Sequence, residues 1–156
     1  KVIEYLDLLS IDHTQLDIFF QRSWATISEE KEFIGRHSHS QSHLSFAYYL
    51  KKNENDSKII FWDTHKANEF IPELFDSPTI KYKKIIKKRD MLNSSHATIQ
   101  PKEGDIIIFP SKTFHSTEKN KKNSLRISIS ADISFFAKDH SFLEHMTPPF
   151  NSWKKF

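Results

Sequence analysis

Four side chains in this sequence have the chemistry and spacing to form a reaction centre: His37, His39, His115 and Arg126. In an extended chain, residues i and i+2 point the same way, so His37 and His39 present two imidazoles to one point. A third imidazole, His115, follows the run Ile106-Ile107-Ile108-Phe109-Pro110, which reads as a buried strand entering a turn. Three imidazoles suit Fe, Zn, Ni or Cu, so the donor type alone does not choose the metal, and three protein ligands leave coordination positions open. Arg126 lies on a period-two run in which Leu125 and Ile127 face one side while Arg126 and Ser128 face the other. A buried guanidinium needs an anion, and a carboxylate that it grips through two N–H groups is its natural partner. Tyr49 shares a strand face with Ser45 and Ala47 and offers a hydroxyl to the same anion. Plainer readings stand beside these. Ser38, Ser40, Gln41 and Ser42 suit a solvated loop around the histidine pair, Arg126 suits an internal ion pair, and Tyr49 suits a core tyrosine.

The elements that would hold these residues are short and mostly extended. Apolar residues at helical spacing predict helices over Val2–Leu9 and Leu16–Phe20, the second capped by Asp12 or Thr14. From Trp24 onward, alternation takes over. Strands are expected over Ser23–Ile27, from Phe33-Ile34 onward, and over Leu44–Leu50, Lys58–Trp62, Pro78–Ile86, Ala97–Ile99, Asp105–Phe109 and Leu125–Ile133. Gly104, one of only two glycines, marks a turn that calls for a left-handed backbone. Many short strands between turns favour an antiparallel sandwich or barrel over a parallel sheet. The expectation is one domain over 1–156, with a helical segment 1–22, a β core 23–133 and a tail 134–156.

Composition narrows the class. With 156 residues, 37% hydrophobic and 28% charged, the chain can build one ordinary globular core, and 13% aromatics make that core rich in rings. The net charge of +3 is mild, and the lysines fall in short runs such as Lys87-Lys88-Arg89, so a nucleic-acid partner is not expected. No cysteine is present, which removes disulfides and thiolate chemistry and fits a cytoplasmic setting. No apolar run is long enough to span a membrane and no leader peptide is visible.

Three ordered segments resemble a known family. His37-Ser38-His39-Ser40-Gln41-Ser42-His43-Leu44-Ser45-Phe46-Ala47-Tyr48-Tyr49-Leu50 is similar to an HxHxxSxLSGVYYL-like run. Gly104 to His115 is similar to a GDLLLFPSWLxH-like run, and Arg126-Ile127-Ser128-Ile129-Ser130-Ala131-Asp132 to a closing RISISFN-like strand. Together with Ser23-Trp24-Ala25 upstream, they resemble the iron(II)- and 2-oxoglutarate-dependent oxygenases, and within them a bacterial and phage group. The resemblance covers roughly residues 23 to 133.

The resemblance implies a mainly β double-stranded β-helix, or jelly roll, with short N-terminal helices. It also implies Fe(II) and 2-oxoglutarate as cofactors, and hydroxylation of a C–H bond with release of succinate and CO₂. His37 and His115 would be metal ligands, and His39 would occupy the position where most of the superfamily has Asp or Glu. Arg126 would hold the distal carboxylate of 2-oxoglutarate, helped by Ser128 or Tyr49. Two departures stand out: Phe46-Ala47 replaces a Gly-Val pair, and Asp132 stands where Asn is usual. A homodimer is a further expectation from the family. The substrate, small molecule or protein, is not legible in these residues. Two other functions fit the same pattern: a three-histidine cupin-like dioxygenase that does not use 2-oxoglutarate, and a non-catalytic jelly-roll binding protein.

Overall fold

The period-two run that begins at Arg126 becomes the axis of the structure. A computed structural model of the chain describes residues 1–76, 85–121, 123–139 and 152–155. Its elements are helix α1 (Val2–Leu8), a single 3-10 turn at His13–Gln15, and strands β1 (Leu16–Ser28), β2 (Leu44–Lys51), β3 (Ile59–Trp62), β4 (His96–Ile99), β5 (Ile106–Pro110), β6 (His115–Thr117) and β7 (Arg126–Ala137). They form two antiparallel sheets, one in the order β1-β7-β2-β5 and one in the order β4-β3-β6. Both sheets contribute side chains to one internal cavity, in the manner of a jelly roll.

Alternation on β7 divides its two faces. Arg126 and Ser128 are buried and line the cavity, Asp132 on the same face is buried against His39, and Ala131, Ile133 and Phe135 are buried on the opposite side. There Leu6 of α1 packs with Leu44, Ile133 and Phe135, and Val2, Tyr5, Leu16 and Ile18 close around them. An apolar cluster therefore lies outside the roll, under the N-terminal helix, while the cavity inside sets polar groups, the histidines, Arg126 and Ser128, among apolar walls that include Ile59 and Phe109.

Five sequence expectations need correction or fall elsewhere. Leu16–Phe20, expected to be helical, is the start of β1, so the 1–22 helical segment is too long and the β core begins at Leu16. Leu16-Asp17-Ile18 alternates, and its backbone pairs with Ala137, Phe136 and Phe135, so the ladder overrides the helical spacing. Asp12 does cap, accepting from Thr14 N, but only the one-turn 3-10 element. β7 likewise runs past Ile133 to Ala137. The segment after Phe33-Ile34 forms no regular strand. It makes one isolated bridge, His37 to His115. The Pro78–Ile86 strand falls largely on residues outside those described.

Two β-bulges interrupt the ladders. One lies between Phe20 and Arg22 on β1, the other between Tyr49 and Lys51 on β2. Gly104 has φ of +87° and donates its N–H to Tyr49 O at 2.8 Å, pinning β2 beside the second bulge.

Candidate metal centre

The histidine pair sits on a connecting segment, and backbone hydrogen bonds fix it. His37 N donates to His115 O at 3.0 Å and His115 N to His37 O at 2.8 Å. His39 N donates to Ser111 O at 2.8 Å. This extended segment keeps the i, i+2 logic without a regular strand. The His37 and His39 rings stack with centroids 5.1 Å apart, and the His115 ring lies 4.3 Å from His37 and 5.2 Å from His39. One ring nitrogen from each of the three lies within 4.8 Å of the others.

Tautomers follow from the partners. His37 Nδ1 faces Gly35 O at 2.9 Å, His115 Nδ1 faces Thr113 O at 3.0 Å, and His39 Nδ1 faces Asp132 Oδ1 at 2.5 Å. A carbonyl or an ionised carboxylate can only accept, so each Nδ1 carries a proton, and the neutral form of each ring keeps its lone pair on Nε2. His37 Nε2 and His39 Nε2 then approach to 3.1 Å as two lone pairs, an arrangement that favours a cation between them. Nitrogens on adjacent octahedral positions, with bonds of about 2.1 Å, lie about 3.0 Å apart. The donor set, its protonation and its spacing fit a divalent transition metal. Burial and the neighbouring imidazoles hold the His115 pKa down to about 4, against the pull of its bond to Thr113, so this ring is neutral at ordinary pH.

Asp132 is the partner that the sequence did not place. Fully buried, it receives His39 Nδ1 and Ser45 Oγ (2.7 Å) on one oxygen and Arg22 Nε (2.6 Å) on the other. Burial pushes its pKa up, but the bonds from Ser45, His39 and Arg22 outweigh that and hold it below the usual aspartate value. Its inward phase on β7, shared with Arg126 and Ser128, was the available signal. Aromatic rings wall the centre: Phe109 lies 4.7 Å from the His115 ring, Phe61 6.2 Å, and Trp24 5.7 Å from His39.

A cavity of about 240 Å³ runs from the three histidines to Arg126, with Tyr49, Ser128 and Thr26 along it. Register explains the grouping: Ser128 is directly opposite both Tyr49 and Thr26, and Arg126 is opposite Ser28. Arg126 is 2% exposed and donates to Ser57 Oγ at 3.0 Å and Ser28 Oγ at 2.9 Å. Among the described residues, no carboxylate forms an ion pair with it. Burial lowers its pKa, while Tyr49 and Asp56 act the other way. Burial raises the Tyr49 hydroxyl to about 12, with the Arg126 charge opposing, so it stays protonated and able to donate. The serines that hold Arg126, Ser28 and Ser57, carry no sequence signal beyond their polarity.

Residues 22–132 match the protein family described as "Putative 2OG-Fe(II) oxygenase". The chain belongs to this family. No curated protein matches it. Among solved structures, it is similar to an oxidoreductase of the 2OG-Fe(II) oxygenase family from Burkholderia pseudomallei, with 13% identity and a TM-score of 0.55 over 83% of this chain and 49% of that one. It is also similar to HygX from Streptomyces hygroscopicus, solved with iron bound, with 8% identity and a TM-score of 0.50 over 75% of this chain and 58% of that one. The chain thus spans roughly half the length of these relatives, and at such identities the likeness is one of fold. Among the described residues, the group that could hold a metal ion is His37, His39 and His115, with no carboxylate among the three.

Proposed function

We propose that this chain is an Fe(II)- and 2-oxoglutarate-dependent dioxygenase that hydroxylates a C–H bond. One observation carries the proposal: three imidazole lone pairs converge at one end of a cavity, and a buried cation without an ion-pair partner among the described residues closes the other. The Nε2 atoms of His37, His39 and His115 would hold the metal. Arg126 would bind the far carboxylate of 2-oxoglutarate, with the Tyr49 and Ser128 hydroxyls donating beside it. Bound there, iron and 2-oxoglutarate supply the oxidation, in which O₂ is reduced, 2-oxoglutarate becomes succinate and CO₂, and one oxygen enters the substrate. The chain's own part is to position and shield. Trp24, Phe61 and Phe109 narrow the approach to the histidines and keep bulk water from them.

The test is calorimetric titration of 2-oxoglutarate into anaerobic, metal-loaded protein, followed by oxygen uptake and succinate assay with Fe(II). Binding that needs the metal, together with succinate formation, supports the proposal. Absence of 2-oxoglutarate binding to metal-loaded protein overturns it. The all-histidine donor set favours one rival, a cupin-like dioxygenase that does not use 2-oxoglutarate. That enzyme would take up oxygen with its substrate and be indifferent to both 2-oxoglutarate and Arg126.

A further inference from the structure

We propose that Asp132 supplies the metal centre, from one layer out, with the negative charge its three neutral histidines lack, and that Arg22 sets how much of that charge is felt. The inference rests on the metal-centre reading above. Asp132 Oδ1 lies 2.5 Å from His39 Nδ1, so a carboxylate accepts the N–H of this ring in a charge-assisted hydrogen bond. A carboxylate that accepts the Nδ1 proton of a ligating imidazole raises the basicity of its Nε2 and fixes the ring. His37 and His115 donate instead to neutral backbone carbonyls, so among the three only His39 has an anionic partner.

The surroundings are arranged to keep Asp132 anionic. Ser45 Oγ spends its single proton on Asp132, so Ser111 Oγ must donate to Ser45 (2.8 Å), and Ser42 Oγ donates in turn to Ser111 (2.8 Å). Three hydroxyls thus point one way, each polarising the next toward the carboxylate. Ser45, Ser111 and Asp132 are all at most 1% exposed, so this chain works where solvent screens little.

Arg22 reaches the second oxygen because of the bulge. Phe20 pairs with Ile133 and Arg22 with Asp132, which leaves Gln21 as the extra residue. Without the bulge Gln21 would stand opposite Asp132, so the insertion exchanges a neutral amide for a guanidinium at that position. Arg22 also lies over the Trp24 ring at 5.1 Å, and that ring lies beside His39. Its side chain is 58% exposed, so it offsets the Asp132 charge only in part.

Charge and mere positioning are separable. In Asp132→Asn, a side-chain oxygen can still accept from His39 Nδ1, but the charge is gone. The expected result is Co(II) and anaerobic Fe(II) binding weakened about 10- to 100-fold, with the Fe(III)/Fe(II) midpoint potential moved to more positive values. Arg22→Gln, at an exposed side chain, should fold and act in the opposite sense, tightening metal binding about twofold and moving the potential negative. If Asp132→Asn binds metal as the wild type does, or Arg22→Gln weakens binding, the charge role is overturned. If Asp132→Asn does not fold, the sign of the Arg22→Gln effect alone decides. Wild-type protein that binds no divalent metal would overturn the metal centre itself. Wild type that binds metal while the variants are unmoved would overturn only this inference.

Discussion

Replacing Arg126 with methionine separates a ligand-binding arginine from a structural one. Two of its five N–H donors are met by Ser57 and Ser28, no carboxylate pairs with it among the described residues, and it is 2% exposed. Removing one partner of a structural buried ion pair costs about 3–5 kcal/mol, because the other charge is left buried and uncompensated. Arg126→Met leaves only the Ser57 and Ser28 hydroxyls, both neutral, without their partner. Urea denaturation of metal-free Arg126→Met should show a stability within about 1 kcal/mol of wild type. Binding of 2-oxoglutarate should fall sharply instead. Losing one partner of a buried, hydrogen-bonded charge pair costs about 2–5 kcal/mol, which is about 30-fold to a few thousand-fold in Kd. Calorimetry on Co(II)-loaded, oxygen-free protein measures this directly. Arg126→Lys keeps the charge but loses the two-pronged contact, so it should fall between wild type and methionine. The reasoning is refuted if Arg126→Met binds 2-oxoglutarate normally, or if the metal-free variant loses about 3–5 kcal/mol, which would make Arg126 part of a structural pair.

Metal binding itself should stabilise the fold. Co(II) at about 100 times its Kd should add about 2.7 kcal/mol to the unfolding free energy, and His115→Ala should abolish that gain; an unchanged melting temperature on adding metal would count against the centre. The His115 pKa, near 4 in the folded chain against about 6.5 unfolded, makes the unfolded state the better proton binder between those values. Metal-free stability should therefore drop as pH falls from about 6.5 to about 4, and His115→Gln should flatten that slope, so parallel slopes in the two proteins would refute the assignment. Leu6→Ala, in the buried cluster under α1, should cost about 2–5 kcal/mol in denaturant titrations while leaving Co(II) affinity unchanged; a loss under 1 kcal/mol would show that α1 is not part of the stable core.

The residues of the site were legible because their logic is local. His37 and His39 converge by i, i+2 spacing, and Arg126, Ser128 and Asp132 share one face by the same rule on β7. The partnerships between segments were not. Asp132 meets Arg22 only because Gln21 bulges, and a single extra residue in a ladder leaves no periodic mark in a sequence. Ser28 and Ser57 hold Arg126 from two other segments and look like any polar strand-end serines. The misread start of β1 has a related cause. Leu16, Phe19 and Phe20 fit helical spacing, while Leu16, Ile18 and Phe20 fit alternation, and only the partner backbone from Ile133 to Ala137 decides between them.

That ladder also couples function to stability. Along β7, Asp132 faces His39 while its neighbours Ala131 and Ile133, at most 1% exposed, lie on the opposite face, where Ile133 packs in the core cluster with Leu6. Because successive strand residues face opposite sides, slipping β7 by one residue would put Ile133 against His39 and Asp132 under the helix. The apolar cluster outside the roll therefore selects the register in which Arg126 and Ser128 reach the cavity and Asp132 reaches His39. The bulge at Gln21 adds a residue to β1 alone, so Arg22 is moved into place while β7 and the His39 ring facing it stay fixed. A chain that buries an arginine and three imidazoles in its interior can hold them in one arrangement because apolar burial on the other face of the same strand fixes the register.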